Sequence, residues 1–211
     1  MTVFELGATV SVLWSPEFWW ALTVGYLCPP DMVLVGKGVC LDRLAWPNES
    51  DEYPLLGVSA TSEGYVPIPA GETWDCESLC STKARRLCSA REWQHGCEGT
   101  PTEKCGDLKP YIPPKWDLVA VRDSDELERL DQHADVRDYP QCVSPRGARM
   151  MGTVQEWVRL SSGSYALTRA FWSRAGSCET INTTHAPNWH DYATACRCCK
   201  DVPPHLRFVR P

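Results

Sequence analysis

Twelve cysteines in 211 residues constrain this chain more than any other feature, and three of them crowd into the stretch "ACRCCK" as Cys196, Cys198 and Cys199. So many thiols are kept reduced, bound to metal or paired, and each state suits a different kind of fold. Structural zinc sites repeat C-x2-C pairs. No such repeat occurs here; the other cysteines stand at 28, 40, 76, 80, 88, 97, 105, 142 and 178. An even number at these spacings favours a disulfide framework over metal. It also places the chain in an extracellular or extracytoplasmic setting.

The remaining composition fits a loop-rich α+β domain with aromatic plugs. There are 10 Trp and 17 Pro, and few helix-forming stretches. The length suits one or at most two domains and is enough to bury a core. A net charge of −6 with no long basic run argues against nucleic acid as a partner. No internal repeat or low-complexity tract is present.

Residues 1–27, "MTVFELGATVSVLWSPEFWWALTVGYL", form an apolar and aromatic arm whose first following basic residue is Lys37. The arm lacks the basic start of a recognisable signal peptide. Glu5, Pro16 and Glu17 interrupt it, so it makes no transmembrane span. For a disulfide-type chain without an evident export signal, either the leader has been replaced or the protein leaves the cell another way, such as release by lysis in a virus particle with oxidation afterwards. Residues 2–27 read equally as a segment packed on the domain or as a docking arm for a protein partner or oligomer.

Further along, Met32–Val35 and Val39–Leu41 flank a Gly-Lys-Gly turn and predict a hairpin bracketed by Cys28 and Cys40. Residues 71–85 read as a helix with Trp74, Cys76, Leu79, Cys80 and Ala84 on one face. Ser89 with Glu92 makes a capping box, which predicts a second helix from Ala90 to Cys97. The acidic segment 124–132 reads as a short solvated helix or turn, and the carboxylates Asp123, Asp125, Glu126 and Glu128 as surface. Residues 153–160 and 194–199 read as buried strands. The interval 100–152 is mostly loop and needs tying down.

Four blocks in order, "CPPDMVLV…VCLDR…WPN", "ARRLCSAREWQHGCEG", "QCVSPRGARMMGTVQEWV" and the closing "ACRCC", resemble the formylglycine-generating enzyme (sulfatase-modifying factor) family, in its cysteine-rich bacterial branch. The resemblance spans roughly residues 28–200, leaving 201–211 as a C-terminal tail. It implies a loop-rich variant of the C-type-lectin-like fold. The family's copper-dependent enzymes carry two cysteines five residues apart, because soft thiolates suit copper(I). Aligning Gly163-Ser164-Tyr165 puts Leu167 and Trp172 at those positions, and neither can ligate copper. The three-histidine site of the iron-dependent relatives has no counterpart. His95, His133, His185, His190 and His205 make no H-x3-H pair, and His185 and His190 read as loop histidines. In the block that supplies calcium ligands in the family, Thr153 replaces an Asn and Glu156 is the one remaining carboxylate. The residues thus lean away from an enzyme, with no cofactor expected beyond a weak calcium candidate at Glu156. No G-x-S-x-G, H-E-x-x-H or phosphate-binding glycine loop is present.

If 194–199 is a strand, Cys196 and Cys198 share one face and Cys199 takes the other. Cys76 and Cys80 share a helix face at a similar rise, which admits Cys76–Cys196 and Cys80–Cys198 as parallel staples. The resemblance itself suggests Cys80–Cys198, and it suggests Cys97–Cys178. Cys28–Cys40, Cys88–Cys199 and Cys105–Cys142 complete a six-bond scheme.

The function expected is a non-catalytic extracellular binding or structural module on this scaffold, in the specific form of a virion surface or tail-associated protein. Its ligand, expected at a cell surface, meets the loops between 165 and 192. Tyr165, Arg169, Phe171, Trp172, Trp189, His190 and Tyr192 there have the composition of recognition hot spots. The alternative is a copper-dependent formylglycine-generating oxidase, or a related metal-dependent oxidoreductase, working through a different thiol pair. A third reading is the variable protein of a hypermutation system on the same fold.

Overall fold

The computed structural model describes residues 27–36, 38–46, 58–62, 72–101, 105, 140–150, 155–168, 177–189 and 194–206. The arm up to residue 26, the acidic segment 124–132, and Arg169, Phe171, Trp172, His190 and Tyr192 lie outside the described residues.

The first strands are β1 (Met32–Val35) and β2 (Val39–Asp42), an antiparallel hairpin that pairs Val35 with Val39. Gly36 and Gly38 hold φ of 57° and 83° in its turn, a region that disfavours any side chain. Strand β3 (Val58–Thr61) pairs in parallel with β4 (Glu72–Asp75). Helix α1 (Cys76–Thr82) follows without a break. The stretch 71–85 is therefore not one helix. Glu72–Asp75 is taken by a strand partner distant in sequence, which local periodicity does not reveal. Asp75 then caps α1, its Oδ1 accepting the amides of Glu77 at 2.9 Å and Ser78 at 3.2 Å.

Strand β5 (Arg86–Leu87) leads to helix α2 (Ala90–Cys97), which has the expected capping box. Glu92 N donates to Ser89 Oγ at 3.3 Å, and Ser89 N donates to Glu92 Oε2 at 2.8 Å. Strands β6 (Gln155–Arg159), β7 (Tyr165–Thr168), β8 (Ile181–Asn182), β9 (Thr194–Cys196) and β10 (Cys198–Asp201) complete the strands, and a 3-10 turn spans Pro204–Leu206.

Two four-stranded sheets result, β1-β2-β10-β5 and β8-β7-β6-β9. The stretch 194–199 is consequently two strands rather than one, because the chain changes sheet at Arg197. Cys196 pairs with Trp157 in the second sheet, whereas Cys198 and Cys199 pair with Leu87 and Arg86 in the first. Strand alternation then divides the core. Val33, Val35, Leu41 and Cys199 of the first sheet meet Trp93 and Cys97 of α2, together with Val158 and Ala166 of the second sheet. On the opposite face of β6 and β7, Trp157 and Leu167 join Cys76, Leu87 and Cys196. A third cluster, Met32, Cys40 and Val202, has Leu27 and Leu206 packed against it, so the ordered chain continues past residue 200.

Six disulfides tie these layers: Cys28–Cys40, Cys76–Cys196, Cys80–Cys198, Cys88–Cys199, Cys97–Cys178 and Cys105–Cys142. These coincide with the six-bond scheme, and no cysteine is free. Helix α1 is thus bonded to both sheets, through Cys76 to β9 and through Cys80 to β10. Among the described residues no helix is long and apolar enough to cross a membrane.

Candidate functional site

The change of sheet at Arg197 rests on a buried polar centre. Arg197 is 1% exposed, and all five of its guanidinium N–H groups find acceptors. Nε and Nη2 donate to the two oxygens of Glu156 at 2.6 and 2.7 Å. Nη1 donates to the carbonyls of Asp42 and Arg43, and Nη2 also to that of Arg149. Trp93 Nε1 adds a bond to Glu156 Oε2 at 2.7 Å. Glu156, the residue the resemblance offers to calcium, therefore directs both oxygens at N–H donors inside the core. Arg197 was not singled out in the sequence. The available signal was a lone charge inside an otherwise buried "ACRCC" run, which demands partners.

Beside this centre, Asp42 Oδ2 accepts the amide of Cys198 at 3.1 Å and Oδ1 accepts from Arg85. Burial raises the Asp42 carboxyl above its ordinary range, against the pull of Arg85 and Arg197. Arg85 also bonds the more exposed Asp31 at 2.7 Å. There the same Arg85 contacts outweigh a smaller burial and lower the carboxyl.

The candidate recognition surface lies over the second core cluster. Tyr165 opens β7 and is not in a loop; Ala166, Leu167 and Thr168 behind it are buried. Leu167, at one of the copper-cysteine positions, is 0% exposed among Trp157, Leu87 and Cys196. Tyr165 and Trp189 are half-buried against this cluster, as are Trp46 and Leu79. Two of the seven predicted binding residues are thereby brought to one apolar base. The other five, Arg169, Phe171, Trp172, His190 and Tyr192, lie outside the described residues.

Around Trp189 the chain is well tied. His185 stacks on it with ring centroids 4.4 Å apart, and burial pushes the imidazole below its usual range. The carbonyl of Pro187 accepts from Ser62 N at 3.0 Å and Ser62 Oγ at 2.9 Å. Asn182 Oδ1 accepts from Thr184 N and Oγ1, closing an Asx turn. Around Tyr165, Arg159 faces it across the β6–β7 pair. The Arg159 guanidinium lies 5.4 Å from the ring centroid and donates to the hydroxyl at 3.2 Å. Arg159 also pairs with Glu77 of α1, and the Glu77 hydrogen bonds hold its guanidinium more firmly charged. Arg159, Glu77 and Trp46 are members of this surface that sequence reasoning missed, since their partners stand far away in the chain or carry no motif.

The residues present do not fit copper(I). Every cysteine is engaged in a disulfide, and no thiolate remains at either of the family's copper positions. Among the described residues no three His, Cys, Asp or Glu converge as a metal ion requires.

No family model matches the chain, and no curated protein does. Among solved structures, the Major Tropism Determinant U1 Variant is similar, with a TM-score of 0.52 at 12% identity. The likeness covers 83% of this chain and 53% of that one, so this chain corresponds to about half of that protein. At such identity the likeness concerns the fold, which is α+β and C-type-lectin-like.

Proposed function

We propose that this chain is a non-catalytic binding and structural module that acts outside the cell as a virion surface or tail-associated protein, on a scaffold resembling the formylglycine-generating enzymes. The observation that carries this reading is the shared fold with a protein named as a determinant of tropism. Supporting it, Leu167 and Trp172 replace the family's copper thiolates, and the disulfides leave no other thiol pair. Rigid scaffolds of this kind suit recognition because varied side chains are displayed without disturbing the core. The ligand belongs at a cell surface and meets the 165–192 region. Residues 2–27 engage a protein partner in the larger assembly.

Fluorescently labelled protein, incubated with a panel of intact cells and read by flow cytometry, tests the reading. Wild-type protein should adhere to a subset of cells, and Phe171→Ala/Trp172→Ala should lose that adherence while keeping all six disulfides. Adherence to no cell type would count against it. So would one tightly bound copper(I) per chain together with oxygen uptake on a cysteine-containing sulfatase peptide, the signature of the oxidase alternative.

A further inference from the structure

We propose that Arg159, Glu77 and Tyr165 form a metal-independent site for a neutral glycan, an inference that rests on the binding-module reading above and names its ligand class. Arg159 uses Nε and Nη2 for Glu77 Oε1 and the Tyr165 hydroxyl. Its Nη1 has no partner among the described residues, and its side chain is 48% exposed. Glu77 in turn commits Oε1 alone, leaving Oε2 as an acceptor on a side chain 25% exposed. The pair therefore presents the two donor hydrogens of Nη1 and the acceptor Oε2 on one ion pair, which the Tyr165 hydroxyl also holds. Glu77 sits beside Cys76, which the Cys76–Cys196 bond fastens to β9, and Arg159 sits in β6.

Ligand chemistry follows from what this arrangement satisfies. An acidic partner would meet an arginine already neutralised and would crowd the free Glu77 oxygen. A basic partner would face the guanidinium. A purely apolar partner would strip water from Nη1 and Oε2 and leave both unpaired, which is costly. Adjacent hydroxyls of a sugar answer both groups at once, one accepting from Nη1 and its neighbour donating to Oε2. The β6–β7 hairpin adds neutral hydroxyls: Ser161, Ser162 and Ser164 are exposed in its turn, and Ser162 and Ser164 are hydrogen-bonded to each other at 2.6 Å.

The test is an oligosaccharide array in EDTA, carrying neutral hexose and N-acetylhexosamine glycans beside matched glycans bearing uronic or sialic acids. Wild-type protein should retain neutral glycans. Glu77→Gln and Arg159→Gln should each weaken retention about tenfold, as loss of a charge-assisted hydrogen bond does. Arg146→Gln, in the 142–150 loop, should leave it unchanged. Non-reducing peptide maps and melting curves separate loss of binding from loss of fold. Retention of acidic glycans alone, abolition by EDTA, or neutral binding indifferent to both substitutions would each overturn the site. If the array retains nothing, yet adherence to cells persists after periodate destroys their surface sugars, the glycan inference falls and the binding-module reading stands. If neither array nor cells retain the protein, both fall.

Discussion

Arg197 shows how much one side chain can carry in a fold with little regular structure. Its guanidinium joins β6 and the end of β2 through buried bonds and the 142–150 loop through a partly buried one. Arg197→Met should destabilise the protein by about 3–5 kcal/mol, because Glu156 is left charged and buried. Arg197→Met/Glu156→Met should be less costly than the single change, and denaturant titration with disulfides intact measures both. A double variant at least as unstable as the single one would contradict this. A second residue-scale expectation concerns pH. Burial alone would raise the Glu92 carboxyl, but hydrogen bonds from Arg86 and from Ser89 lower it below its ordinary 4.5. Its contribution is therefore present above pH 4.5 and lost as pH falls through the depressed folded value. Asp42 has the opposite sign, since its raised carboxyl favours the fold at low pH and loses that contribution as pH rises through the folded value. Glu92→Gln should thus lower the melting temperature at neutral pH and flatten its decline below pH 4.5. Gly96 gives a third expectation. A Cβ there would lie 2.9 Å from Leu41 Cδ1, so Gly96→Ala should cost about 1–3 kcal/mol in equilibrium unfolding, relieved when Leu41 is shortened to Val.

At the scale of elements, three disulfides act as a staggered series. Cys76–Cys196, Cys80–Cys198 and Cys88–Cys199 span 120, 118 and 111 residues. Closing a loop of that length alone contributes about 5 kcal/mol in the chain-entropy model. Once one of the three is closed, its neighbour closes a loop of only roughly ten residues, worth about 2–3 kcal/mol. Replacing Cys76 and Cys196 together by Ala should therefore cost about 2–3 kcal/mol, and the long-loop contribution should disappear only when all three bonds are removed. Equal, large losses for each single pair would refute this account. The elements also show where sequence reasoning succeeds. The β1–β2 hairpin and α2 were legible because Gly-Lys-Gly, Ser89 and Glu92 act within a few residues. Residues 72–75 and the change of sheet at 197 were not, because parallel pairing with 58–61 and the acceptors of Arg197 come from far along the chain. Asp75 was a readable capping signal for α1 that the apolar spacing of Trp74, Cys76 and Cys80 obscured.

For the whole molecule, the cysteine scheme followed from spacing and resemblance together, whereas the proposed recognition surface was only partly visible. Tyr165 and Trp189 stood out as aromatics, but Glu77 and Arg159 are 82 positions apart and nothing in either segment announces the other. Peptide mapping without reduction should recover the six pairs, and free thiols at three or more positions would dismantle the scaffold described here. Leu27 and Leu206, the first and last described residues, rest on the same Met32–Cys40–Val202 base. A tug between them enters through the Cys28–Cys40 bond and leaves through β10, where Lys200 pairs with Cys40. The load path is thus a few residues long, and the sheet bearing Tyr165 lies off it. A pull on Leu27 and Leu206 is thus borne by the first sheet, while Tyr165 in the second carries none of it.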